Sequence, residues 1–395
     1  MEKLIVYNKK TYCPMPFVTL TVNPGNYISR CMMSLDDMGP IEHSTYSNDQ
    51  FKKLRSNMVN GIWDKKGCDS CYYKEKNNIK SQRQKWLQRE KKYLGEEGIY
   101  TSNLSLDRNK IYHLYMNFNN ICNFKCRMCG PWFSNAWIPD WNKMNIDKSP
   151  GRPKQQVDID NFLQEYGNDL YDLRQIWITG GEPFMDNSVF DFFDKLKTYS
   201  DLSKISVTIN TNGSKVPVEQ LHKLKDIKHL QLNVSVDATG EIYNYIRAYN
   251  YDFEQLKQKI KQIQDLNQEN ILLTVNGAYQ IYNLLNVEEF FDWGNALQDE
   301  GAHFVEHRVL TGPKRFQARH APDYIKEQSR KQIYRLMEKY PNQFYLPDLL
   351  IELDKPQDIE TVKNFILWND RLDDIRKAKE LDIVTEIKQY WSDKI

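Results

Sequence analysis

From about residue 111 onward the chain alternates short apolar runs with amphipathic stretches, six times in succession, and this alternation limits the folds open to it. The apolar runs fall at 112–118, 175–179, 205–210, 231–236, 271–277 and 303–310. Between them, segments 158–171, 188–196, 218–224, 253–266 and 287–297 carry apolar residues at helical spacing, as Phe162, Tyr166 and Leu170 do in the first. Strands that alternate with helices packed on one face build a parallel sheet covered by helices. Six such units predict a partial (β/α)6 barrel of the TIM-like α/β class, whose chemistry sits at the C-terminal ends of its strands. Residues 1–105 and 314–395 fall outside the repeat, so the reading divides the chain into 1–105, 106–313 and a helical C-terminal extension over 314–395.

Seven cysteines separate into two groups. Cys122, Cys126 and Cys129 stand in one run, Cys122-Asn-Phe-Lys-Cys126-Arg-Met-Cys129, directly after the first strand. Cys13, Cys31, Cys68 and Cys71 lie in the N-terminal segment. An odd count with three thiols crowded together fits a disulfide framework poorly and fits metal binding in a reducing compartment. Three soft thiolates hold an iron–sulfur cluster with one iron left open, or zinc completed by a distant ligand such as His113 or Cys31. Four thiolates close a cluster, or a zinc knuckle, completely.

Bulk properties exclude little else. Lys and Arg total 54 against 53 Asp and Glu, so no net field favours nucleic acid or a membrane surface. The first ten residues lack the apolar core of a signal peptide, and no run reaches the roughly 18 apolar residues of a membrane span. A cytoplasmic protein is expected. The basic stretch 74–92, with Trp86 and Leu87 interleaved, reads as a solvated helix, with a contact surface for nucleic acid or an acidic peptide as the sharper alternative. His303 and His307 lie in an alternating, strand-like run, which argues against a helical zinc pair. The link 134–156 reads as a long loop able to cover a substrate.

Strand two ends in Thr179-Gly180-Gly181-Glu182-Pro183, one β/α unit after the cysteine run. This combination resembles the radical S-adenosylmethionine (SAM) superfamily, marked by C-x3-C-x-Φ-C and a Gly-Gly-Glu-Pro turn. The resemblance implies that Cys122, Cys126 and Cys129 hold a [4Fe–4S] cluster whose open iron is chelated by SAM. It places Gly180, Gly181, Glu182 and Pro183 against the methionine amino group, and Met128 at the Φ position that contacts adenine. Asn210-Thr-Asn212-Gly213 is similar to the family's strand-three ending near the ribose. Ser235-Val-Asp237, followed by Arg247, is similar to its strand-four segment, so Ser235 and Arg247 are expected at the SAM carboxylate. The bland alternatives are a solvated Arg247 and an Asp237 that caps the next helix.

The N-terminal cysteines resemble an auxiliary-cluster domain of the twitch or SPASM type, displaced to precede the barrel. By that resemblance Cys13, Cys31, Cys68 and Cys71 hold an auxiliary [4Fe–4S] cluster. The family's chemistry is reductive cleavage of SAM to a 5′-deoxyadenosyl radical, with an electron donor such as flavodoxin or ferredoxin. Oxidation or crosslinking of a peptide or protein is the first substrate expectation. Modification of a small sugar, cyclitol or nucleotide is the alternative, and a non-catalytic zinc module the third reading.

Overall fold

The structure is a computed structural model and describes residues 10–34, 36–76, 80–94, 110–145, 154–247, 250–299, 302–343, 345–392 and 394. The N-terminal stretch 1–9, the boundary at 105, part of the 134–156 link and the His303 side chain lie outside the described residues. Packing divides the chain into two compact units. The first is Met1–Asn119, Gln155–Thr208 and Lys223–Leu230; the second is Asn120–Lys154, Ile209–His222 and Gln231–Ile395. The units interleave along the chain, whereas the sequence pattern suggested consecutive segments.

Strand pairing explains the interleaving in the first unit. Its strands run β3-β2-β1-β4-β5-β6, where β1 is Thr19–Asn23, β2 Tyr27–Ser29, β3 Gly39–Pro40, β4 His113–Asn117, β5 Gln175–Thr179 and β6 Ser206–Thr211. β1 pairs in parallel with β4, Thr19 opposite His113 and Val22 opposite Met116. β4 pairs in parallel with β5, from His113 opposite Gln175 to Asn117 opposite Thr179. All five residues of β1 are buried, the pattern of a strand covered on both faces. It then turns through Gly25 and Asn26, both with positive φ, into antiparallel β2. The sequence reading contained none of these three N-terminal strands.

Helix Ile159–Tyr166 is capped by the Asp158 side chain, which accepts from the Asn161 N–H at 3.0 Å. It buries Phe162, Leu163 and Tyr166. Phe192 of helix Ser188–Leu196 meets both Phe162 and Phe118, with ring centroids 6.5 and 5.6 Å away. Each buried phenylalanine contributes about 1.5–3 kcal/mol. The first of these helices was expected to reach residue 171. It stops at Tyr166 and tightens into a 3-10 turn over Gly167–Asp169; Gly167 packs against the Tyr199 ring, which a Cβ there would approach to 2.5 Å. Val218–Leu224 is likewise a 3-10 helix, not an α-helix.

In the second unit the order is β7-β8-β9, with β7 His229–Ser235, β8 Ile271–Tyr279 and β9 Ala302–Val309. β8 and β9 are parallel, Gly277 opposite His307. All six predicted strands are therefore present as β4 to β9, and the molecule is mixed α/β with parallel strands. Among the described residues, four α-helices follow: Asp323–Lys339, Leu346–Leu353, Ile359–Arg376 and Asp382–Ser392. The 134–156 link is only partly loop. Trp137, Trp141 and Met144 are spaced to share one helical face and are buried, so Ile138–Met144 forms an α-helix with Pro139 in its first turn. Among the described residues no helix is long and apolar enough to cross a membrane.

Candidate cofactor and metal sites

In the second unit the three-thiol loop is fastened by its own flanks. The Asn135 side chain accepts from the Cys122 N–H at 3.1 Å, and the Trp137 indole N–H donates to the Cys126 carbonyl at 2.9 Å. Ser134 Oγ donates to the Phe124 carbonyl at 2.7 Å, and the Cys129 N–H to that of Cys126 at 2.9 Å. The backbone of Arg127 donates to the Ile246 carbonyl at 2.8 Å. Its buried guanidinium donates to the Tyr245 carbonyl, stacks on the Tyr245 ring at 3.4 Å and pairs with Asp373 and Asn369 of helix Ile359–Arg376. The loop is thus tied to a helix from the far end of the sequence.

None of the three thiols is in a disulfide, and all three residues are partly buried. Burial, reinforced by Cys126, pushes Cys129 up to about 12. Burial also raises Cys126, opposed by the positive charge of Arg247. Asn212 Nδ2 lies 3.8 Å from Cys122 Sγ and donates to Asn123 Oδ1 at 3.0 Å, so two motifs separated in sequence meet here. Met128 is partly exposed.

Beyond β7, where Ser235 is the last residue, Asp237 adopts φ 70° and is buried. One of its carboxylate oxygens accepts from Arg247 Nε at 2.6 Å and the other from the Ala278 N–H at 2.6 Å. Asp237 therefore does not cap the next helix; Thr239 holds the N-cap position of Gly240–Ile246. Arg247 is not a solvated residue either. Burial works against its charge, but Asp237 and Cys126 outweigh that and raise its pKa above the ordinary value. Cys126 Sγ lies 3.7 Å from the Arg247 carbonyl.

The Gly-Gly-Glu-Pro turn belongs to the first unit. Gly180 has φ 139°, and a Cβ there would lie 2.6 Å from the Asn119 carbonyl oxygen. The Gly181 N–H donates to that same oxygen at 2.7 Å. Only glycine permits this approach. Glu182 is fully buried and its carboxylate accepts from the Phe184 N–H at 3.2 Å, starting the 3-10 turn Pro183–Met185.

Also within the first unit, Cys13, Cys31, Cys68 and Cys71 line one cavity together with Arg30 and Arg83. Cys13 precedes the short helix Met15–Val18 and Cys31 follows β2; Cys68 and Cys71 share one face of helix Lys65–Lys76. Burial, chiefly, pushes Cys31 up to about 12 and Cys68 up to about 11, and Arg30 opposes the rise at Cys68. Cys13 is raised by burial and then by Cys31. Arg30 is pinned by Asp36 and by Asp64 at 2.6 Å. It crosses the helix at Gly67, where a Cβ would stand 2.2 Å from its Cζ. Arg83 pairs with Glu75 at 2.5 Å and donates to the Tyr12 carbonyl at 2.7 Å. The stretch 74–92 is therefore not simply solvated. Arg83 and Trp86 are buried, and Trp86 packs edge-on against His113 and Trp177. Neither arginine was singled out from sequence, and an Arg beside a Cys carries no local signal.

Among the described residues no set of three or more His, Cys, Asp or Glu side chains is already drawn to metal-ligand spacing. The donors nonetheless suit iron–sulfur chemistry: each set is all thiol, and each is gathered in one place with guanidinium groups to offset thiolate charge.

Parallel strands, with a three-cysteine loop shortly after β4, define a cofactor-dependent α/β protein. Residues 116–293 match the family model described as the Radical SAM superfamily. Its members use a [4Fe–4S] cluster and SAM. GTP 3′,8-cyclase of Vibrio parahaemolyticus is 28% identical over 182 residues, 42% of this chain and 50% of that protein. The protein of the same name from Aliarcobacter butzleri is 27% identical over 132 residues, 33% and 36% of the two chains. The chain spans about half the length, or less, of these curated relatives. Among solved structures, native anSMEcpe with bound AdoMet shares 13% identity at TM-score 0.43, over 58% of this chain and 61% of that one. Streptococcus suis SuiB bound to S-adenosylmethionine shares 13% at TM-score 0.38, over 74% and 64%.

Proposed function

We propose that this chain is a radical SAM enzyme acting on a nucleotide-type small molecule. The observation that carries the substrate class is the match to proteins named GTP 3′,8-cyclase. It favours the small-molecule alternative over the peptide or protein substrate that the sequence alone put first. Cys122, Cys126 and Cys129 hold the cluster in this reading, and Asn212 steadies the Cys122 thiolate. Arg247, aligned by Asp237, takes the SAM carboxylate together with Ser235. Gly180, Gly181, Glu182 and Pro183 serve the amino group, and Met128 the adenine. When bound, the cluster supplies the electron that cleaves SAM to methionine and a 5′-deoxyadenosyl radical, which abstracts hydrogen from substrate. Cys13, Cys31, Cys68 and Cys71 hold a second metal centre, an auxiliary [4Fe–4S] cluster, with Arg30 and Arg83 balancing its charge. A flavodoxin- or ferredoxin-type donor and a cytoplasmic setting complete the reading.

The test is anaerobic reconstitution with reductant, SAM and a panel of deuterated nucleoside triphosphates and peptides. Deuterium is expected in 5′-deoxyadenosine from a nucleotide. Transfer from peptides alone would reject the nucleotide reading. Stoichiometric zinc without iron or sulfide would reject radical chemistry altogether.

A further inference from the structure

Three tryptophans of the second unit, Trp137, Trp141 and Trp368, pack together with centroids 5.9 to 6.5 Å apart. Two guanidinium groups lie on this aromatic platform. Arg315 Cζ is 3.6 Å from the Trp368 centroid, and Arg376 Cζ is 4.5 Å from that of Trp137. Around the platform, four buried nitrogens have no hydrogen-bond acceptor: Arg315 Nε, Arg376 Nη2, and the indole nitrogens of Trp141 and Trp368. Every one is a donor, and two carry positive charge.

The charge of Arg315 is unmatched in the same sense, whereas Arg376 contacts Asp140 at 2.9 Å and Arg127 takes Asp373. Arg315 forms no ion pair or hydrogen bond among the described residues, and burial lowers it to about 10, with only Tyr282 working in its favour. Burial, followed by Arg127, lowers Arg376 as well. Leaving buried donors and charges unmatched is costly. A trapped water supplies acceptor lone pairs but no charge. A phosphoryl group supplies both, and guanidinium groups match its geometry.

We propose that Arg315, Arg376 and the indole N–H groups of Trp141 and Trp368 form an anion site that receives a phosphoryl group of the substrate. Its location suits that role. Arg315 follows β9 through a short loop, at the strand end where chemistry occurs in such folds. Trp137, on which Arg376 stacks, donates to the carbonyl of Cys126, so the site adjoins the three-thiol loop. The inference rests on the nucleotide reading only for what carries the phosphoryl group.

The test uses the anaerobically reconstituted full chain, with inorganic tripolyphosphate, GTP and guanosine as probes in equilibrium dialysis. Tripolyphosphate is expected to bind and to compete with GTP, while guanosine does not. Arg315→Gln should weaken tripolyphosphate binding about 10- to 100-fold, the usual loss of a charged hydrogen bond. Trp368→Phe keeps a ring in place but removes the N–H, and should weaken it about fivefold. No binding to the unmodified chain, or equal binding to both folded variants, overturns the site. Binding with these losses but no turnover of any nucleotide would leave the anion site standing and remove the nucleotide reading. Turnover of GTP with unaltered KM in Arg315→Gln would do the reverse.

Discussion

Cys122, Cys126 and Cys129 are carried on one short loop, whereas Cys13, Cys31, Cys68 and Cys71 come together from three separated elements. The loop needs only anchoring, and it receives that from Asn135 and Trp137 just downstream and from the Arg127–Asp373 pair. The four-thiol cavity needs the first unit to fold, since the helix Lys65–Lys76 must be brought to the end of β2. Their charge surroundings differ as well. The loop faces Arg247, itself neutralised by Asp237; the cavity faces Arg30, held by two carboxylates, and Arg83, held by one. A site whose ligands share one loop is expected to fail chiefly at those ligands. One assembled from afar is expected to fail through its supports.

The largest expected effect is at the loop. Cys126→Ala should cut 5′-deoxyadenosine formation more than about 100-fold, beyond what an outer partner costs. Cys68→Ala should divide the two activities. Substrate turnover should vanish, while uncoupled SAM cleavage stays within about threefold of the unmodified chain. Intact substrate conversion in this variant would remove the auxiliary role and, with it, the contrast. Gly67→Ala probes a support: the new methyl displaces Arg30 from the cavity and should weaken metal retention by the four-thiol site about tenfold, read as metal loss under chelator, with SAM cleavage unchanged.

The last effect concerns acid rather than ligands. His307 packs against Phe290 at 4.6 Å, and burial lowers its pKa to about 3. Burial, then Arg319, lowers His320 to about 4. A histidine depressed below its unfolded value of roughly 6.5 must be neutral to fold, so its contribution is full above that pH and is lost as pH falls toward the folded pKa. For His307 the loss is on the order of 4 kcal/mol by about pH 3, and His320 acts in the same direction. Both lie in the unit that holds the three-thiol loop. Urea unfolding from pH 7 down to 4 should show stability falling across this window, and His307→Leu should flatten the slope.

The six strands of the repeat were legible because each is a self-contained apolar run, and they shifted by only a residue or two on folding. β1 was not legible: Thr19–Asn23 is short, hemmed in by Pro14, Pro16 and Pro24, and finds its parallel partner only at β4. The same rule holds at the sites. Motifs complete within a few residues, the cysteine loop and the Gly-Gly-Glu-Pro turn, could be read directly. Arg30, Arg83, Arg127 and Arg315 could not, because what makes each informative is its burial against residues distant in sequence. Arg247 falls between. Its motif named it, but only the fold shows that Asp237 aligns it and that Thr239, not Asp237, stands at the helix N-cap position.

The parallel pairing of β1 with β4 also sets an order of events at the ribosome. Cys13, Cys31, Cys68 and Cys71 all emerge before β4 has been synthesised, so β1 must wait for its partner while four thiols stand on an unfinished chain. Late, non-local contacts of this kind slow folding. Closure of that cavity is then expected to follow synthesis of β4, and expression under metal-poor conditions should yield chains in which the early cysteines are the first to oxidise.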